Sequence, residues 1–345
     1  MRISLSKSDR SFSVGPDEPL LDAALKAGLN LPHSCKNGNC GACRGRLLSG
    51  DVGYPQGRPP GLSQAEADEG LILLCQARAV SDLCIETFDL THADEAVVKR
   101  LPARIERAEA LAPDVLALFL RLPVAETFAF QAGQYVDILL PGGRRRSFSI
   151  ASPPHASRPL ELHVRRVEGG EFTGPLFAGH GDRTLLTLQG PFGHFVYRPS
   201  ESPLLLVGGG TGFAPLKSIL RHAIESVGRR DITLYWGVRG ENDLYAHRDL
   251  EVLARSAPSF RYEVVLSSAG ASWAGRRGLV HEAVLEDFPR FGTADIYASG
   301  PPAMVEAVRR EFPRHGADPA RVFFESFDYA PEGPARQRTM AETRS

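Results

Sequence analysis

The chain has 345 residues, with 40 Lys and Arg against 41 Asp and Glu, a formal net charge of −1 and 43% hydrophobic residues. At roughly 100–200 residues per domain, this length predicts two or three domains, and the composition excludes wholesale disorder. The balanced charge excludes a polybasic nucleic-acid binder. No apolar run approaches the roughly 20 residues that cross a bilayer, and the N-terminus carries no apolar signal segment, so we expect a cytoplasmic protein.

The first region, residues 1–92, combines short strand-like stretches with a loop rich in Gly and Cys. Strands are predicted at Arg2–Ser6, Ser11–Val14 and Leu83–Phe88, and a helix is predicted at Pro19–Ala27 with Asp17 as its cap. The charged stretch 93–100 that follows is predicted to be a linker.

The second region, residues 101–199, alternates short β-like runs with Gly and Pro. Turn signals at this spacing indicate an antiparallel barrel or sandwich. The predicted strands are Ala103–Ala108, Val115–Arg121, Tyr135–Leu140, Ser147–Ala151, Leu160–Val167 and Thr184–Gln189.

The third region, residues 200–329, alternates strands with helices, which predicts a parallel sheet covered by helices on both faces. The predicted strands are Leu204–Val207, Ile232–Trp236, Phe260–Leu266, Asp295–Ala298 and Val322–Phe324. The predicted helices are Phe213–Ser226, Leu244–Arg255, Val280–Phe288 and Ala303–Phe312. The tail 330–345 has little to bury and is predicted to be disordered.

Four of the five cysteines follow a specific spacing. Cys35, Cys40 and Cys43 are separated by four and two residues, and Cys75 follows after 31 intervening residues. This is the C-x4-C-x2-C…C spacing of a plant-type [2Fe–2S] site, in which four thiolates bind two irons. Glycines between the first three cysteines permit the tight turn that such a site requires.

Other interpretations of these cysteines fit less well. A zinc site usually contains two close C-x2-C pairs, and Cys75 has no near partner. A Rieske centre is excluded because the chain has no Cys-x-His pair. Cys84 lies in a predicted strand, where a small buried apolar residue is a better interpretation than a fifth ligand.

With this spacing, and with Leu73–Arg78 followed by Ser81-Asp82, residues 1–92 resemble a plant-type ferredoxin. The resemblance implies a β-grasp fold. It also implies that the four spaced cysteines hold a [2Fe–2S] cluster.

The run Arg146-Ser147-Phe148-Ser149 opens a predicted strand after a Pro-Gly-Gly turn. Alone, this pattern is more often a surface strand, but here it resembles the R-x-Y-[ST] motif of the ferredoxin–NADP reductase superfamily. The resemblance implies an FAD-binding antiparallel β-barrel. Arg146 would pair with phosphate through its bidentate fork, with Ser147 beside it, Phe148 would pack on the flavin, and Ser149 would act catalytically near its N5 edge.

Two neighbouring details bear on that assignment. Phe148 stands where the family usually has Tyr, which removes a hydroxyl contact to the flavin's sugar chain. Arg144 and Arg145 are also available to phosphate, so the choice of Arg146 depends on the family register.

The segments Leu162–Arg165 and Gly169–Thr173 resemble the second flavin-binding region of the same superfamily. The resemblance implies a turn that binds a pyrophosphate through backbone N–H groups and a hydroxyl, hence FAD rather than FMN. A solvent-facing strand histidine is the open alternative for His163. The implied FAD contacts are His163, Val164, Arg165, Gly170, Phe172 and Thr173.

A glycine-rich turn, Gly208–Gly212, follows a buried strand and precedes a helix. Such a turn lets the backbone approach a pyrophosphate, whose charge the helix N-terminus favours. The G-x-G-x-x-G fingerprint is absent, but the run G-G-T-G-x-A-P resembles the nicotinamide-nucleotide segment of the superfamily. The implied contacts are Gly209, Gly210, Thr211, Gly212 and Pro215.

Tyr297–Pro302 resembles the superfamily's Y-x-C-G-P-P segment, with Ser299 in place of the Cys beside the hydride path. The resemblance implies that Ser299, Gly300 and Pro301 contact the nicotinamide and that Ser299 is catalytic. Near the last strand, Glu325 is a second catalytic candidate. Phe327 either lines the flavin ring or packs in the core.

The nucleotide preference is predicted from the cations near the second strand of the third region. Only Arg239 lies there, and no basic cluster suited to a 2′-phosphate follows it. Together with resemblance to NADH-using members, this favours NADH over NADPH.

The order of the three regions resembles the reductase components of oxygenases and the CDP-6-deoxy-glucoseen reductases. It implies that NADH delivers hydride to FAD, which releases electrons singly through the cluster to a redox partner protein, an oxygenase component or a deoxysugar dehydratase. The alternatives are a non-enzymatic zinc-stabilised binding protein and a free-flavin or ferric reductase. We expect a monomer. Residues 1–92 carry nine Lys and Arg against eleven Asp and Glu, and this balance of −2 identifies no partner.

Overall fold

The computed structural model describes residues 1–7, 9–29, 31–33, 36, 38, 41–87, 98–181, 183–226 and 230–327. The predicted ligands Cys35 and Cys40, residues 93–97 of the predicted linker and the predicted tail 330–345 lie outside these residues. Among the described residues, no helix is both long and apolar enough to cross a membrane.

The N-terminal region contains a five-stranded mixed sheet, a separate two-stranded sheet and two short helices. Its strands are β1 (Arg2–Leu5), β2 (Ser11–Ser13), β3 (Arg44–Ser49), β4 (Val52–Gly53), β5 (Leu71–Leu73), β6 (Arg78–Ala79) and β7 (Leu83–Glu86), and its helices are α1 (Leu20–Lys26) and α2 (Gln64–Asp68). The main sheet has the order β2-β1-β7-β3-β5, and β4 pairs with β6 separately. β1 and β7 are parallel, and α1 buries Leu20 and Leu21 in the core beside Ile3 and Ile85. The β-grasp expectation is confirmed.

The predicted cap of α1 is wrong. Pro19 occupies the N-cap position without a side-chain cap hydrogen bond, and Asp17 lies outside the helix with φ of +56°. α2 instead begins with a complete capping box, because Ser63 and Glu66 bond each other's backbone N–H groups.

The second region is a six-stranded antiparallel barrel. Its strands are β8 (Lys99–Ala112), β9 (Val115–Arg121), β10 (Tyr135–Leu139), β11 (Arg145–Ser149), β12 (Leu160–Arg165) and β13 (Leu185–Phe192), with the short helix α3 (Thr173–Pro175) before β13. The strand order is β11-β10-β13-β8-β9-β12, and a bridge from Ile150 to Leu162 brings the two edge strands together. This closure decides between barrel and sandwich. β8 begins at Lys99, within the predicted linker, because Lys99 pairs with Gly190.

The third region is a six-stranded parallel sheet with helices on both faces. Its strands are β14 (Leu204–Gly209), β15 (Ile232–Val238), β16 (Phe260–Leu266), β17 (Arg276–Arg277), β18 (Asp295–Gly300) and β19 (Val322–Ser326), and its helices are α4 (Phe213–Ser226), α5 (His247–Ser256), α6 (Val280–Asp287) and α7 (Pro302–Glu311). The strand order is β17-β16-β15-β14-β18-β19. One apolar cluster contains Phe213 and Trp236, and a second contains Val284 and Phe312. The predicted α/β architecture is confirmed.

Candidate functional site

One cavity of about 660 Å³ lies where the three regions meet. Cys75 of the N-terminal region, Arg146 and Phe148 of the barrel, and Thr211 and Glu325 of the parallel sheet all line it. Cavities of this volume are typical of small-molecule and cofactor sites. The parallel strands β14 and β19 present their carboxyl ends to it, which is where open α/β sheets bind ligands.

The structure distinguishes among Arg144, Arg145 and Arg146, which the sequence leaves as three candidates for the phosphate contact. Arg144 is not on the cavity wall and forms an ion pair with Glu171, with Nη1 2.6 Å from Oε2. Arg145 and Arg146 both line the cavity. Arg145 Nη1 lies 3.9 Å from Asp137, whereas the Arg146 guanidinium bonds only the Arg145 carbonyl among the described residues. Of the three consecutive arginines, Arg146 is the one that lines the cavity without a carboxylate partner in the described part of the chain.

Aromatic rings form one wall of the cavity. The Phe148 and Phe172 rings contact each other with centroids 5.4 Å apart, and Phe327 lies on the same cavity. Beside them, Ser149 is 4% exposed, and its Oγ has no hydrogen-bond partner in the described part of the chain. A buried hydroxyl without a partner is costly, so a polar edge of a bound ring is the kind of group that it would accommodate. Phe327 thus lines the cavity, as its interpretation as a residue beside the flavin ring requires.

Thr173 stabilises the turn that was predicted to bind pyrophosphate. Its hydroxyl accepts from Val167 N–H and donates to the Val167 carbonyl, both at 3.1 Å. A Cβ on Gly170 would lie 2.5 Å from the Thr173 hydroxyl, so this turn requires glycine there. The hydroxyl is engaged within the turn, so the turn offers a ligand mainly its backbone N–H groups.

His163 is buried between the barrel and the third region, so the solvent-facing alternative is wrong. Its Nε2 lies 3.0 Å from Glu161 and its Nδ1 lies 3.1 Å from the Tyr245 hydroxyl. Burial lowers the pKa of His163 and raises the pKa of Tyr245. The Glu161 carboxylate can only accept, so neutral His163 donates from Nε2 and accepts the Tyr245 proton at Nδ1. Both ring nitrogens are occupied, which leaves the ring carbons to line the cavity.

Glu161 connects this network to α4 because Lys217 Nζ lies 2.6 Å from the same carboxylate oxygen as His163. Burial alone would raise the pKa of Glu161, but His163 and Lys217 together lower it to about 2. The contacts of the Glu161 carboxylate therefore stabilise the folded state fully above pH 4.5, the ordinary pKa of a glutamate. This stabilisation is lost as the pH falls toward 2.

Replacing Glu161 by Gln should lower the free energy of unfolding at pH 7 by about 2 kcal/mol, because two charge-assisted hydrogen bonds are weakened. The difference from the parent should shrink as the pH falls below 4.5. Urea unfolding followed by tryptophan fluorescence measures it, since both tryptophans, Trp236 and Trp273, lie in the third region. The control is Glu106→Gln, which removes an exposed pair with Arg121 and should cost at most about 0.5 kcal/mol. Equal losses in the two variants would contradict the role of the buried network.

The glycine-rich turn after β14 packs directly on the end of β18. A Cβ on Gly212 would lie 2.1 Å from the Ser299 carbonyl, and one on Gly209 would lie 2.7 Å from Pro301. The close approach explains the two glycines and places the turn beside the Ser299–Pro301 segment. From this turn, only Thr211 lines the cavity.

Two predicted catalytic residues become neighbours across the sheet. Ser299 pairs with Glu325 in the parallel register of β18 and β19. Ser299 is fully buried, and its Oγ has no hydrogen-bond partner among the residues described. Glu325 lies on the cavity wall, whereas Ser299 lies behind it. Ser149, the third candidate, is on the same cavity.

Cys43 and Cys75, the two predicted ligands that the structure describes, lie at the junction of β3 and β5. Leu74 N–H donates to the Cys43 carbonyl at 3.0 Å, and Cys43 and Cys75 are both buried. The loop is also held by Arg44, which donates to the carbonyls of Gly41 and Gly61. Two of the four predicted ligands thus lie on neighbouring stretches of chain, and cysteine sulfur is the donor that an iron–sulfur group uses.

The sequence prediction and the cavity wall overlap in part. Sequence reasoning missed several wall residues that other elements supply, namely Lys36, Gln76, Tyr135 and Asp137. Alternation along β10, which places Tyr135 and Asp137 on one face, was the available signal. The predicted site residues that do not line the wall are Val164, Gly209, Gly210, Gly212, Pro215, Arg239, Ser299, Gly300 and Pro301. Val164 belongs to the barrel core, and Arg239 is exposed after β15.

The aromatic wall, Arg146 and the buried Ser149 hydroxyl give this cavity the surfaces that a flavin ring and its phosphate require. Family comparisons agree. Residues 3–80 match the 2Fe-2S iron-sulfur cluster binding domain, residues 102–197 the oxidoreductase FAD-binding domain, and residues 206–310 the oxidoreductase NAD-binding domain.

Similar proteins match over nearly the whole chain. The CDP-6-deoxy-L-threo-D-glycero-4-hexulose-3-dehydrase reductase of Yersinia pestis is 34% identical over 95% of this chain and 98% of its own. Terephthalate 1,2-dioxygenase reductase component 2 of Comamonas sp. is 37% identical over 89% of this chain and 91% of its own. The crystal structure of Amycolatopsis cytochrome P450 reductase GcoB superimposes with a TM-score of 0.78 at 37% identity, covering 94% of this chain and 98% of that one.

This chain therefore belongs to the family of iron–sulfur flavoprotein reductases that combine ferredoxin, FAD-binding and NAD-binding domains. It is an NAD(P)H-dependent oxidoreductase whose cofactors are a [2Fe–2S] cluster, FAD and NAD(H). The match to an iron–sulfur family removes the support for a zinc-stabilised binding protein.

Proposed function

We propose that this reductase takes electrons from NADH and delivers them through its ferredoxin domain to a separate oxygenase component or deoxysugar dehydratase. The observation that carries the proposal is a cavity to which all three domains contribute, and which Cys75, Phe148 and Glu325 all line. When bound, FAD accepts a hydride from NADH and releases its electrons singly to the cluster.

The roles proposed for the chain's residues follow from their positions. Arg146 holds the flavin phosphate, and Phe148, Phe172 and Phe327 pack on the cofactor and exclude water. The buried Ser149 hydroxyl provides a hydrogen bond at the ring edge. Glu325 positions the nicotinamide from the cavity wall, and Ser299, its partner in the register of β18 and β19, supports that position from behind the wall.

The preference for NADH is supported by the cations at the carboxyl ends of β15 and β16. Arg277 donates to the carbonyls of its own loop, including Gly270 and Trp273, and Arg276 pairs with Asp287. Arg239 follows β15 directly and is exposed, and Arg248 in the first turn of α5 is the next exposed cation along the chain. A 2′-phosphate usually requires more cations than this, since its recognition depends on charge.

The acceptor class is supported by the relatives, which serve a dehydrase in one case and a dioxygenase in the other, as their names state. Their identities of 34% and 37% do not separate the two classes. We propose that the reductase works as a monomer, since the ferredoxin, FAD-binding and NAD-binding domains that the electron route needs are all present in one chain. We propose a cytoplasmic location because thiols stay reduced there, as the cysteines of the cluster site require.

The test is anaerobic mixing of the reconstituted holoprotein with NADH, followed by absorption and electron paramagnetic resonance. The flavin should bleach and the reduced cluster signal should follow, with NADPH reacting at least about tenfold more slowly. Addition of an oxygenase component or a dehydratase should then reoxidise the cluster. A protein whose flavin is not reduced by NADH would overturn the proposal.

A further inference from the structure

Among the described residues of the cysteine loop 35–43, here called the cluster loop, Lys36 contacts the barrel. Lys36 lies in the loop between the first two spaced cysteines, and its Nζ is 3.4 Å from Asp137 Oδ2. The same nitrogen lies 4.7 Å from the centre of the Phe192 ring and 5.5 Å from that of Tyr135. A cation over aromatic faces beside a carboxylate is held by cation–π and ionic attraction together.

Asp137 is nearly inaccessible to water, with a side chain that is 1% exposed. A buried carboxylate requires partners, because desolvation of the charge is costly. Ser147 Oγ donates to it at 2.6 Å, and Arg145, which is 44% exposed, lies 3.9 Å away. Lys36, at 20% exposure, is the less solvated of its two cationic neighbours.

A second contact joins the same two domains. His194, which follows β13, has its Nε2 2.7 Å from the Leu31 carbonyl. Burial lowers the pKa of His194 to about 4, so the neutral ring donates this hydrogen bond. The His33 ring packs edge-on against Tyr135 and Phe192, with centroids 6.0 and 6.1 Å away. The ferredoxin segment from 31 to 36 thus meets the barrel at more than one point.

We propose that the ferredoxin domain docks on a surface of the barrel, here called the docking socket, which consists of Tyr135, Asp137, Phe192 and His194. Lys36 is the positioning residue that holds the cluster loop against it. Undocking would leave Asp137 without its less exposed cation and would expose two aromatic rings. The socket therefore favours the arrangement in which Cys75 lies on the flavin cavity. This inference rests on the proposed electron route.

The docking socket predicts a specific pattern among variants. Lys36→Met should weaken docking because it leaves the buried Asp137 short of a cation, whereas Lys36→Met combined with Asp137→Asn removes both charges. Lys7→Met is the matched control, because Lys7 is a lysine of the same domain that pairs with the exposed Glu86.

Small-angle scattering of the holoprotein measures docking without any turnover. Lys36→Met should increase the radius of gyration, and the double variant and Lys7→Met should keep the parental value. Stopped-flow mixing with NADH gives a second measurement, the ratio of the cluster-reduction rate to the flavin-reduction rate. That ratio should fall at least about tenfold in Lys36→Met and recover to within about threefold of the parent in the double variant.

A redox titration measures the potential of the cluster. It therefore distinguishes weaker docking from a smaller driving force as the cause of slower cluster reduction. Unchanged scattering and an unchanged rate ratio in Lys36→Met would overturn the docking socket. So would a double variant no better than the single one, or a potential shift that accounts for the slower rate. If NADH fails to reduce the parent flavin, the proposed function fails, while the scattering comparison still decides the docking.

Discussion

Replacing Cys43 by Ser should abolish electron transfer to cytochrome c while the protein retains NADH-dependent ferricyanide reduction. Loss of a ligand should exceed the roughly 10–100-fold effects of changes outside the ligand set, so we expect at least a ~100-fold decrease. Cys43 is buried at the β3–β5 junction and does not line the flavin cavity, so the flavin should still react with NADH. Absorption and electron paramagnetic resonance spectra should show that the cluster is missing.

The matched control is Cys84→Ser in β7, a partly buried cysteine outside the four-cysteine spacing. This variant should keep the cluster and both activities. Equal loss of cytochrome c and ferricyanide reduction in Cys43→Ser would contradict the order flavin before cluster. Retained cytochrome c reduction would instead favour a free-flavin or ferric reductase.

Replacing Arg146 by Leu should weaken FAD binding by about 30–100-fold, equivalent to about 2–3 kcal/mol for a charge-assisted pair with phosphate. Arg146 lines the cavity, and its guanidinium bonds only a neighbouring carbonyl in the described residues. Titration of the FAD-free protein with FAD, followed by flavin fluorescence, measures the dissociation constant.

Arg144→Leu is the control for this change, since Arg144 is paired with Glu171 and lies off the cavity wall. It should alter FAD affinity by no more than about twofold, as expected for an exposed ion pair. A larger effect at Arg144 than at Arg146 would show that the family register misplaces the phosphate arginine.

Local pattern predicted most of the secondary structure. The bounds of α4 (Phe213–Ser226) and β16 (Phe260–Leu266) agree with the prediction, because strong periodicity and flanking turns are local properties. The cap of α1 was mispredicted because Asp17 has a positive φ and the chain enters the helix through Pro19. Whether a residue caps a helix depends on the path of the chain before it, which residue type alone does not specify.

The sequence by itself determined which chemistry this chain carries. Cysteine spacing, the glycine-rich turn and the R-x-F-S run are short motifs whose function requires particular residues at particular intervals. Only the tertiary structure decided how these motifs combine. Glu171 holds Arg144 off the cavity wall, Tyr245 and Glu161 determine the protonation of His163, and the contact of Lys36 with Asp137 joins the ferredoxin domain to the barrel. Burial and charge pairing of that kind arise from packing between domains, and no local pattern encodes them.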